Sequence, residues 1–183
     1  PGVNALRTPI YPEMINIVNG EEISFSEYLL NESEVTAGIK NYIFTNGRPI
    51  TKSMLAWWMF QDPSQQLIKL DTKLEIEHIY PKKRQENEKS LSDKNNIEKL
   101  GNKALLEENI NIRASDYRFA DKVKYYKGFS NDKGVYKEGT KDNELIKMAT
   151  LYNDYTEQNI LDRTEQIYTE FISFVKEQNL FKV

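Results

Sequence analysis

The sequence predicts a mainly α-helical α+β domain with a small strand–strand–helix element embedded in its middle. Apolar residues recur at helical spacing in both flanks of the chain, while residues 74–79 alternate between apolar and polar side chains. A second short apolar run follows Gly101. A spacing of three to four residues is typical of a helix face, and a spacing of two is typical of a half-buried strand. The predicted order at the centre is therefore strand, loop, strand, helix.

Composition is that of a soluble globular chain. The 183 residues are 39% hydrophobic and 29% charged, with a mean hydropathy of -0.68, and one domain is the default expectation. The longest apolar run, Met54–Phe60, has seven residues, far fewer than the roughly 20 that a membrane helix needs. We therefore expect no membrane association. Pro1-Gly2 opens the chain without a basic and then apolar leader, as expected for an expressed fragment or a processed chain.

The absence of cysteine excludes disulfide scaffolds, thiolate zinc sites and cysteine nucleophiles, and it favours a reducing, intracellular setting. The net charge of -3 argues against a protein that coats nucleic acid by bulk positive charge. Charge is unevenly distributed, however, because residues 80–127 contain twelve Lys and Arg against eight Asp and Glu. The centre is basic and the flanks are acidic.

The N-terminal elements are predicted from prolines, caps and apolar spacing. Residues 1–22 are expected to be irregular, because three prolines and Gly20 interrupt them. Ser24 and Glu27 have the spacing of a capping box, which predicts a short helix through Leu30. A second helix ending near Asn46-Gly47 is indicated by four apolar residues at helical spacing, namely Val35, Ile39, Tyr42 and Ile43.

A third helix is predicted to begin at the cap Thr51 and to run through the apolar segment Met54–Phe60, ending before Asp62-Pro63. Because this segment is apolar all round, the helix should be buried at the centre, with both tryptophans in the core.

The first strand is predicted at Leu74–Ile79 and should end at Pro81, where a lysine-rich loop begins. The second should cover Asn102–Leu106. A helix capped by Ser115 then follows, with Phe119, Val123 and Tyr126 as its apolar face.

Residues 127–141, with three glycines, should form a surface loop. From Asp142 onward two helices are expected, the first marked by Leu145, Met148, Ala149 and Tyr152 and the second by Leu161, Tyr168, Ile172 and Val175. The predicted division is an N-terminal part at 1–73, a central element at 74–127 and a C-terminal part at 128–183.

His78 is the single histidine, so it is the one candidate for proton transfer by imidazole near neutral pH. A lone histidine is more often structural. Glu77 precedes it, and strand alternation puts the two side chains on opposite faces unless the strand ends or bends before Pro81. In that case the pair would offer a carboxylate for a hard cation and an imidazole for water, the minimum for metal-assisted hydrolysis.

Two asparagines lie where a short amide could be functional. Asn102 follows the Gly101 turn, and Asn111 precedes the predicted helix. Asparagine is also an ordinary turn and cap residue, and this part of the chain is rich in it, so each amide alone is better explained as structural.

Several motifs together carry a family resemblance. They are Glu77-His78-Ile79-Tyr80-Pro81, Leu100-Gly101-Asn102 followed by Leu105-Leu106, Ile110-Asn111, Phe119 with Lys122, and Ile160-Leu161-Asp162-Arg163. In this order they resemble the C-terminal HNH-like domain of GmrSD-type modification-dependent restriction endonucleases, which are bacterial defence proteins. The resemblance runs from about Leu74 to Arg163, and its motifs are specific in combination and weak singly.

The resemblance implies a His-Me finger nuclease site, in which two antiparallel strands and a helix hold one divalent cation. His78 would be the general base, and Asn102 would hold the imidazole or the scissile phosphate. Glu77 and Asn111 would be the metal ligands, with Asn109 as an alternate. An all-oxygen ligand set favours Mg²⁺ or Mn²⁺. Many such sites have an aspartate before the base and a histidine on the helix, so a single carboxylate implies weaker cation affinity here.

Basic residues near the predicted base suggest phosphate contacts, although lysine and arginine runs are ordinarily solvated surface. The candidates are Lys82, Lys83, Arg84 and, on the predicted helix, Lys122. No sequence-reading motif and no phosphate loop is present. The resemblance therefore implies that selectivity and nucleotide hydrolysis belong to an upstream sensor domain or subunit.

The sequence thus predicts a metal-dependent DNA endonuclease domain with a histidine base, acting in anti-phage restriction defence in the bacterial cytoplasm. One alternative is a catalytically inactive, nuclease-like domain that serves in DNA binding or subunit association. RNA as substrate is a more distant alternative.

Overall fold

The computed structural model describes residues 3–23 and 29–181, and for residues 3–9 it describes the backbone alone. This part of the chain is mainly helical with two small antiparallel sheets, which confirms the predicted class. The elements in chain order are α1 Val3–Asn19, α2 Glu32–Asn41, α3 Pro49–Met59, β1 Leu74–His78, α4 Lys82–Glu88, β2 Lys103–Glu107, α5 Glu108–Ala114, α6 Phe119–Lys127, β3 Phe129–Ser130, β4 Tyr136–Lys137, α7 Asn143–Leu151 and α8 Glu157–Glu177.

The chain divides into two compact units. The first comprises the described parts of residues 1–42 and 168–183, and the second comprises residues 43–167. Within the first unit, Leu30 bridges to Phe181, and the Leu30 amide donates to the Leu180 carbonyl at 2.7 Å. Lys176 Nζ pairs with Glu32 Oε1 at 2.5 Å. The C-terminal end of α8 is therefore fixed to the segment that enters α2.

In the first unit, two of the predictions are wrong, and a third concerns residues outside the described part of the chain. Residues 3–19 are helical rather than irregular, although Pro9 and Pro12 lie inside the helix. The φ of proline, about -65°, is compatible with a helix, and each proline removes one backbone donor. α2 begins after the cap Asn31, whose Oδ1 accepts from the Glu34 amide, and it ends at Asn41 because Tyr42 is extended. The predicted capping box at 24–27 lies outside the described residues.

The second unit is organised around the antiparallel pair of β1 and β2, as the alternation at 74–79 and the apolar run after Gly101 predicted. Leu74 lies opposite Glu107, and His78 lies opposite Lys103. The core around the pair contains Ile79, Leu106, Ile110, Phe119, Tyr126, Leu145 and Ile160.

Gly101 lets α8 approach the turn before β2. A Cβ atom there would lie 2.0 Å from the Ile160 carbonyl oxygen and 2.4 Å from Thr164 Oγ1. The Gly101 amide donates to Thr164 Oγ1 at 3.0 Å. No side chain fits between this turn and the helix, which explains the glycine physically.

Arg163 joins the same turn to α7. Its Nη1 donates to the carbonyls of Leu100, Gly101 and Lys103 at 3.0, 3.1 and 2.8 Å. Its Nε and Nη2 donate to the two carboxylate oxygens of Glu144, each at 2.7 Å. The isoleucine-x-x-arginine motif therefore encodes a buried structural clamp.

Local boundaries in the second unit differ from the prediction at several points. The lysine-rich loop contains α4, and α5 begins directly after β2. Ser115 does not cap α6; it has φ 43° just after α5, and Arg118 is the N-cap. Residues 127–141 contain the small hairpin of β3 and β4.

α3 begins after Arg48 rather than at Thr51, whose buried hydroxyl donates to the Thr45 carbonyl at 2.8 Å. Trp57 and Trp58 are half-buried rather than central. At the other end of the unit, Asp142 caps α7, and its Oδ1 accepts from the Leu145 amide at 3.0 Å. The two C-terminal helices are confirmed. Among the residues described, no helix has the length and apolar character to cross a membrane.

Candidate functional site

Strand β1 carries Glu77 and His78 to opposite faces of the strand pair. Both residues are paired with β2, Glu77 with Ala104 and His78 with Lys103, so the strand continues through the histidine. Glu77 contacts α6, and His78 faces Glu98 in a 3-10 helix at Lys94–Glu98. The two neighbouring side chains therefore belong to different clusters.

The Glu77 cluster consists of Glu77, Lys122 and Tyr126. Glu77 Oε1 accepts from Lys122 Nζ at 2.7 Å and from the Tyr126 hydroxyl at 2.6 Å. Lys122 Nζ also donates to the His78 carbonyl at 2.7 Å. Only 4% of the Glu77 side chain and 1% of the Lys122 side chain are exposed. Burial raises the pKa of Glu77, and the Lys122 ammonium opposes this effect.

The His78 cluster consists of His78, Glu98, Lys82 and Lys103. The His78 side chain is 11% exposed, and its Nε2 atom is buried without a hydrogen-bond partner in the described part of the chain. Glu98 Oε2 lies 3.9 Å from Nε2, beyond hydrogen-bond distance. The Glu98 carboxylate instead pairs with Lys82 and Lys103, each at 2.5 Å.

Burial controls the charge states in this cluster. Desolvation lowers the pKa of His78, and Glu98 partly opposes it. The imidazole is therefore neutral at pH 7. The neighbouring His78 ring, together with hydrogen bonds from Lys103 and Lys82, holds the pKa of Glu98 well below its usual value. Desolvation also lowers the pKa of the fully buried Lys103, whose Nζ additionally donates to the Phe44 carbonyl at 2.5 Å.

Asn102 holds the turn that follows His78. Its Oδ1 accepts from the Tyr80 amide at 2.7 Å, and its Nδ2 donates to the carbonyls of Tyr80 and Ile97, each at 3.0 Å. Its own carbonyl accepts from the Ile79 amide at 2.9 Å. The residue is 0% exposed, so its amide is engaged by backbone groups; the predicted contact with imidazole or phosphate stays a prediction.

The other predicted amides lie on α5. Asn111 is half-buried, and no hydrogen bond within the described residues joins its side chain to Glu77. Asn109 is exposed and lines a cavity of about 810 Å³ near Glu107. Since His78 and Glu107 lie at opposite ends of the strand pair, this cavity is remote from the histidine.

Glu77 and Asn111, as they are placed, do not fit a divalent cation. The Glu77 carboxylate already accepts from an ammonium and a hydroxyl inside the fold, and Glu77 is the one carboxylate of the predicted ligand set. In the described part of the chain, no three His, Cys, Asp or Glu side chains are grouped so as to hold a metal ion.

The predicted DNA-contacting residues have different surroundings. Lys122 is buried and its ammonium binds Glu77 inside the fold, and the predicted contact with a phosphate stays a prediction. Arg84 Nη1 pairs with Asp154 Oδ1 at 2.9 Å, and the Arg84 Cζ atom lies 4.7 Å from the centroid of the Tyr80 ring. Lys82 and Lys83 are both exposed, and Lys82 lies beside Glu98.

A groove of about 740 Å³ lies between α4 and the 3-10 helix, next to the His78 cluster. Lys82 and Glu98 line it from the cluster side, and Lys89 and Lys94 line it further along. Sequence reasoning missed Glu98, because an acidic residue inside a lysine-rich segment has no spacing signal that links it to a histidine 20 positions earlier.

Fold and site together define a mainly helical α+β domain whose central strand pair carries a half-buried histidine beside a lysine-lined groove. The sequence model of the family described as GmrSD restriction endonucleases, C-terminal domain, matches residues 36–170. The chain belongs to this family, and the resemblance inferred from the motifs is confirmed. Membership relates the chain to restriction endonucleases, whose substrate is DNA. No curated protein and no solved structure matches the chain.

Proposed function

We propose that this domain hydrolyses phosphodiester bonds in DNA, with His78 as the general base, as part of bacterial restriction defence. The observation that carries the proposal is the placement of the single histidine of a restriction-endonuclease family member. Its neutral imidazole lies at the end of the strand pair, beside the lysine-lined groove. We also propose that residues 74–127, which include β1, β2, α5 and α6, form the HNH-like element of this family.

In the proposed reaction, His78 removes a proton from the attacking water. The water oxygen forms a bond to phosphorus, and the bond from phosphorus to the 3′-oxygen breaks. The 3′-oxygen leaves with that electron pair and takes a proton from solvent water, while the proton of the attacking water remains on the imidazole. A histidine with a lowered pKa is in the required neutral form at pH 7. Nε2 would face Glu98, so that the ionised carboxylate stabilises the imidazolium and Nδ1 accepts the proton.

The groove would receive the phosphate backbone. Lys82, Lys89 and Lys94 line it, and a phosphate could replace Glu98 as the partner of the Lys82 ammonium. Glu86, Asp93 and Glu98 also line the groove, so three carboxylates balance its three lysines, and any contact of the lysines with phosphate should weaken as salt is added. The modified base or target sequence would be recognised by another domain or subunit.

The requirement for Mg²⁺ or Mn²⁺ stays a prediction. The reaction proposed above does not use a cation, because the Glu77 carboxylate accepts hydrogen bonds from Lys122 and Tyr126. Cleavage measured with Mg²⁺, with Mn²⁺ and with chelator tests the requirement directly.

Plasmid cleavage by the wild type, His78→Ala and a surface control tests the proposed function. Lys52→Ala suits the control because Lys52 is exposed on α3. We expect His78→Ala to reduce the single-turnover rate by about 100-fold or more, with an unchanged thermal midpoint, while the control cleaves normally. Because burial lowers the pKa of His78, the acidic limb of the rate profile should lie below pH 6.5. Undiminished cleavage by His78→Ala would falsify the assignment.

A non-catalytic role in DNA docking or subunit association is the second candidate. The observation that favours it is the internal ion pair of Glu77, which engages the carboxylate predicted to bind the cation. DNA binding without cleavage, under all three cation conditions, would support this role. Digesting RNA beside DNA distinguishes the two substrates.

A further inference from the structure

We infer that Lys122 occupies, in this chain, the place that the resemblance assigns to a divalent cation: its ammonium is the cation that Glu77 holds. The inference concerns the ligand of one carboxylate, and it stands whether or not the domain cleaves DNA.

The contacts around Lys122 Nζ resemble those of a small oxygen-ligated ion. Nζ lies 2.7 Å from Glu77 Oε1 and 2.7 Å from the His78 carbonyl oxygen, which are oxygens of consecutive residues on β1. The Tyr126 hydroxyl donates to the same carboxylate oxygen at 2.6 Å. A hard cation prefers carboxylate and carbonyl oxygens. The ammonium therefore occupies two oxygens of the kind that such an ion binds.

Helix α6 supplies both partners of Glu77 from one face. Phe119, Lys122 and Tyr126 follow at intervals of three and four residues, so they lie on the same side of the helix. All three are buried. The phenylalanine-x-x-lysine motif therefore places the Phe119 ring in the core and the Lys122 ammonium against β1.

Charge balance argues for the same assignment. Lys122 neutralises the single negative charge of Glu77 inside the fold, where an unbalanced charge is costly. A divalent ion added to this pair would leave excess positive charge in a buried site. Within the described residues, no three His, Cys, Asp or Glu side chains are grouped so as to hold such an ion. The ammonium and the divalent ion are thus alternatives.

Lys122 is also a positioning residue for His78, because it binds the carbonyl of the histidine rather than its ring. Its loss should shift the end of β1 and the imidazole with it. This effect acts through the backbone and differs from a contact with substrate.

The decisive experiment measures Mn²⁺ binding to the full chain by electron paramagnetic resonance. Wild type is compared with Glu77→Gln and with the exposed-carboxylate control Glu170→Gln. We expect Mn²⁺ binding to be the same in all three proteins, since Lys122 and Tyr126 both bind Glu77 Oε1 and the Lys122 ammonium balances the charge of the carboxylate. One Mn²⁺ ion bound by the wild type and lost only in Glu77→Gln would overturn the inference.

Thermal midpoints of Glu77→Gln, Lys122→Met and the double variant provide the second measurement, with Lys127→Met as the exposed-lysine control. Each single variant leaves one buried partner unpaired, whereas the double variant removes both charges. The double variant should therefore melt above either single variant. Additive losses of thermal midpoint in the double variant would contradict the pairing of Glu77 with Lys122. The Mn²⁺ and thermal measurements are both independent of the cleavage assay with His78→Ala.

Discussion

Replacing Arg163 tests how the family motif at 160–163 supports the site. The guanidinium is buried and makes five hydrogen bonds, three to carbonyls of the turn before β2 and two to the Glu144 carboxylate. Arg163→Ala would leave Leu100 and Lys103 carbonyls without this donor and would remove the partner of Glu144. Arg163→Lys would keep the charge but lose the fork that joins the two sides.

The expected cost is large, because buried polar groups lose partners together. Removing one member of a buried pair typically costs about 3–5 kcal/mol. Glu144 is partly exposed, with 26% of its side chain accessible, so water compensates some of the loss. We therefore take about 3 kcal/mol for Arg163→Ala, which corresponds to a fall of roughly 6–12 °C in the thermal midpoint of a chain of this size.

Thermal and urea unfolding of the wild type and Arg163→Ala measure this cost. Arg118→Ala is the matched control, because Arg118 forms an exposed pair with Glu88 and surface pairs contribute only about 0–1 kcal/mol. Arg163→Lys should fall between the wild type and Arg163→Ala. If Arg163→Ala melts within the range of the Arg118 control, the clamp does not hold the turn and the reasoning fails.

Two further variants test the packing and the caps of the second unit. Gly101→Ala should lower the free energy of unfolding by about 1–3 kcal/mol or more through overpacking, because the added Cβ would lie 2.0 Å from the Ile160 carbonyl oxygen. In the control Gly47→Ala, the added Cβ would have no atom within 4 Å, and this variant should fold normally. Equal thermal midpoints of the two variants would contradict this packing. Burial raises the pKa of the α7 cap Asp142 from 3.8 to about 7, so the folded state keeps a proton that the unfolded state has lost between these values. The stability contributed by Asp142 therefore falls as pH rises through this window. Asp142→Asn keeps a cap, so its unfolding free energy should rise relative to that of the wild type from pH 4 to pH 7. A constant difference in unfolding free energy would contradict the raised pKa.

Elements with strong local signals were predictable from the sequence. The alternation at residues 74–79 gave β1, and Asp142 with its apolar spacing gave the start of α7. The sequence does not predict α1, because proline ordinarily interrupts a helix, although the φ of proline fits one. α5 was missed because Glu108–Ala114 is only seven residues long, too short for a clear amphipathic period.

The site was harder to predict than the strands, because its contacts join distant parts of the chain. A lysine is expected at the surface, and only the position of α6 against β1 shows that Glu77 draws Lys122 inward. The separation of Glu77 from His78 follows from strand alternation, provided that the strand continues through both residues. Sequence could not decide whether the strand ended before Pro81, because that depends on the pairing of His78 with Lys103.

The backbone at and after His78 is held by hydrogen bonds from the side chains of Lys122 and Asn102. Lys122 binds the His78 carbonyl, and Asn102 binds the backbone of Ile79 and Tyr80 directly after it. A two-stranded sheet is marginal alone, so these clamps should fix the position of the imidazole. Asn102→Ala should therefore lower the single-turnover rate of DNA cleavage while leaving DNA affinity unchanged, and it should add little in a His78→Ala background, because both changes act through the same group. A fall in DNA affinity at constant rate would instead assign Asn102 to the phosphate, as the family resemblance allows.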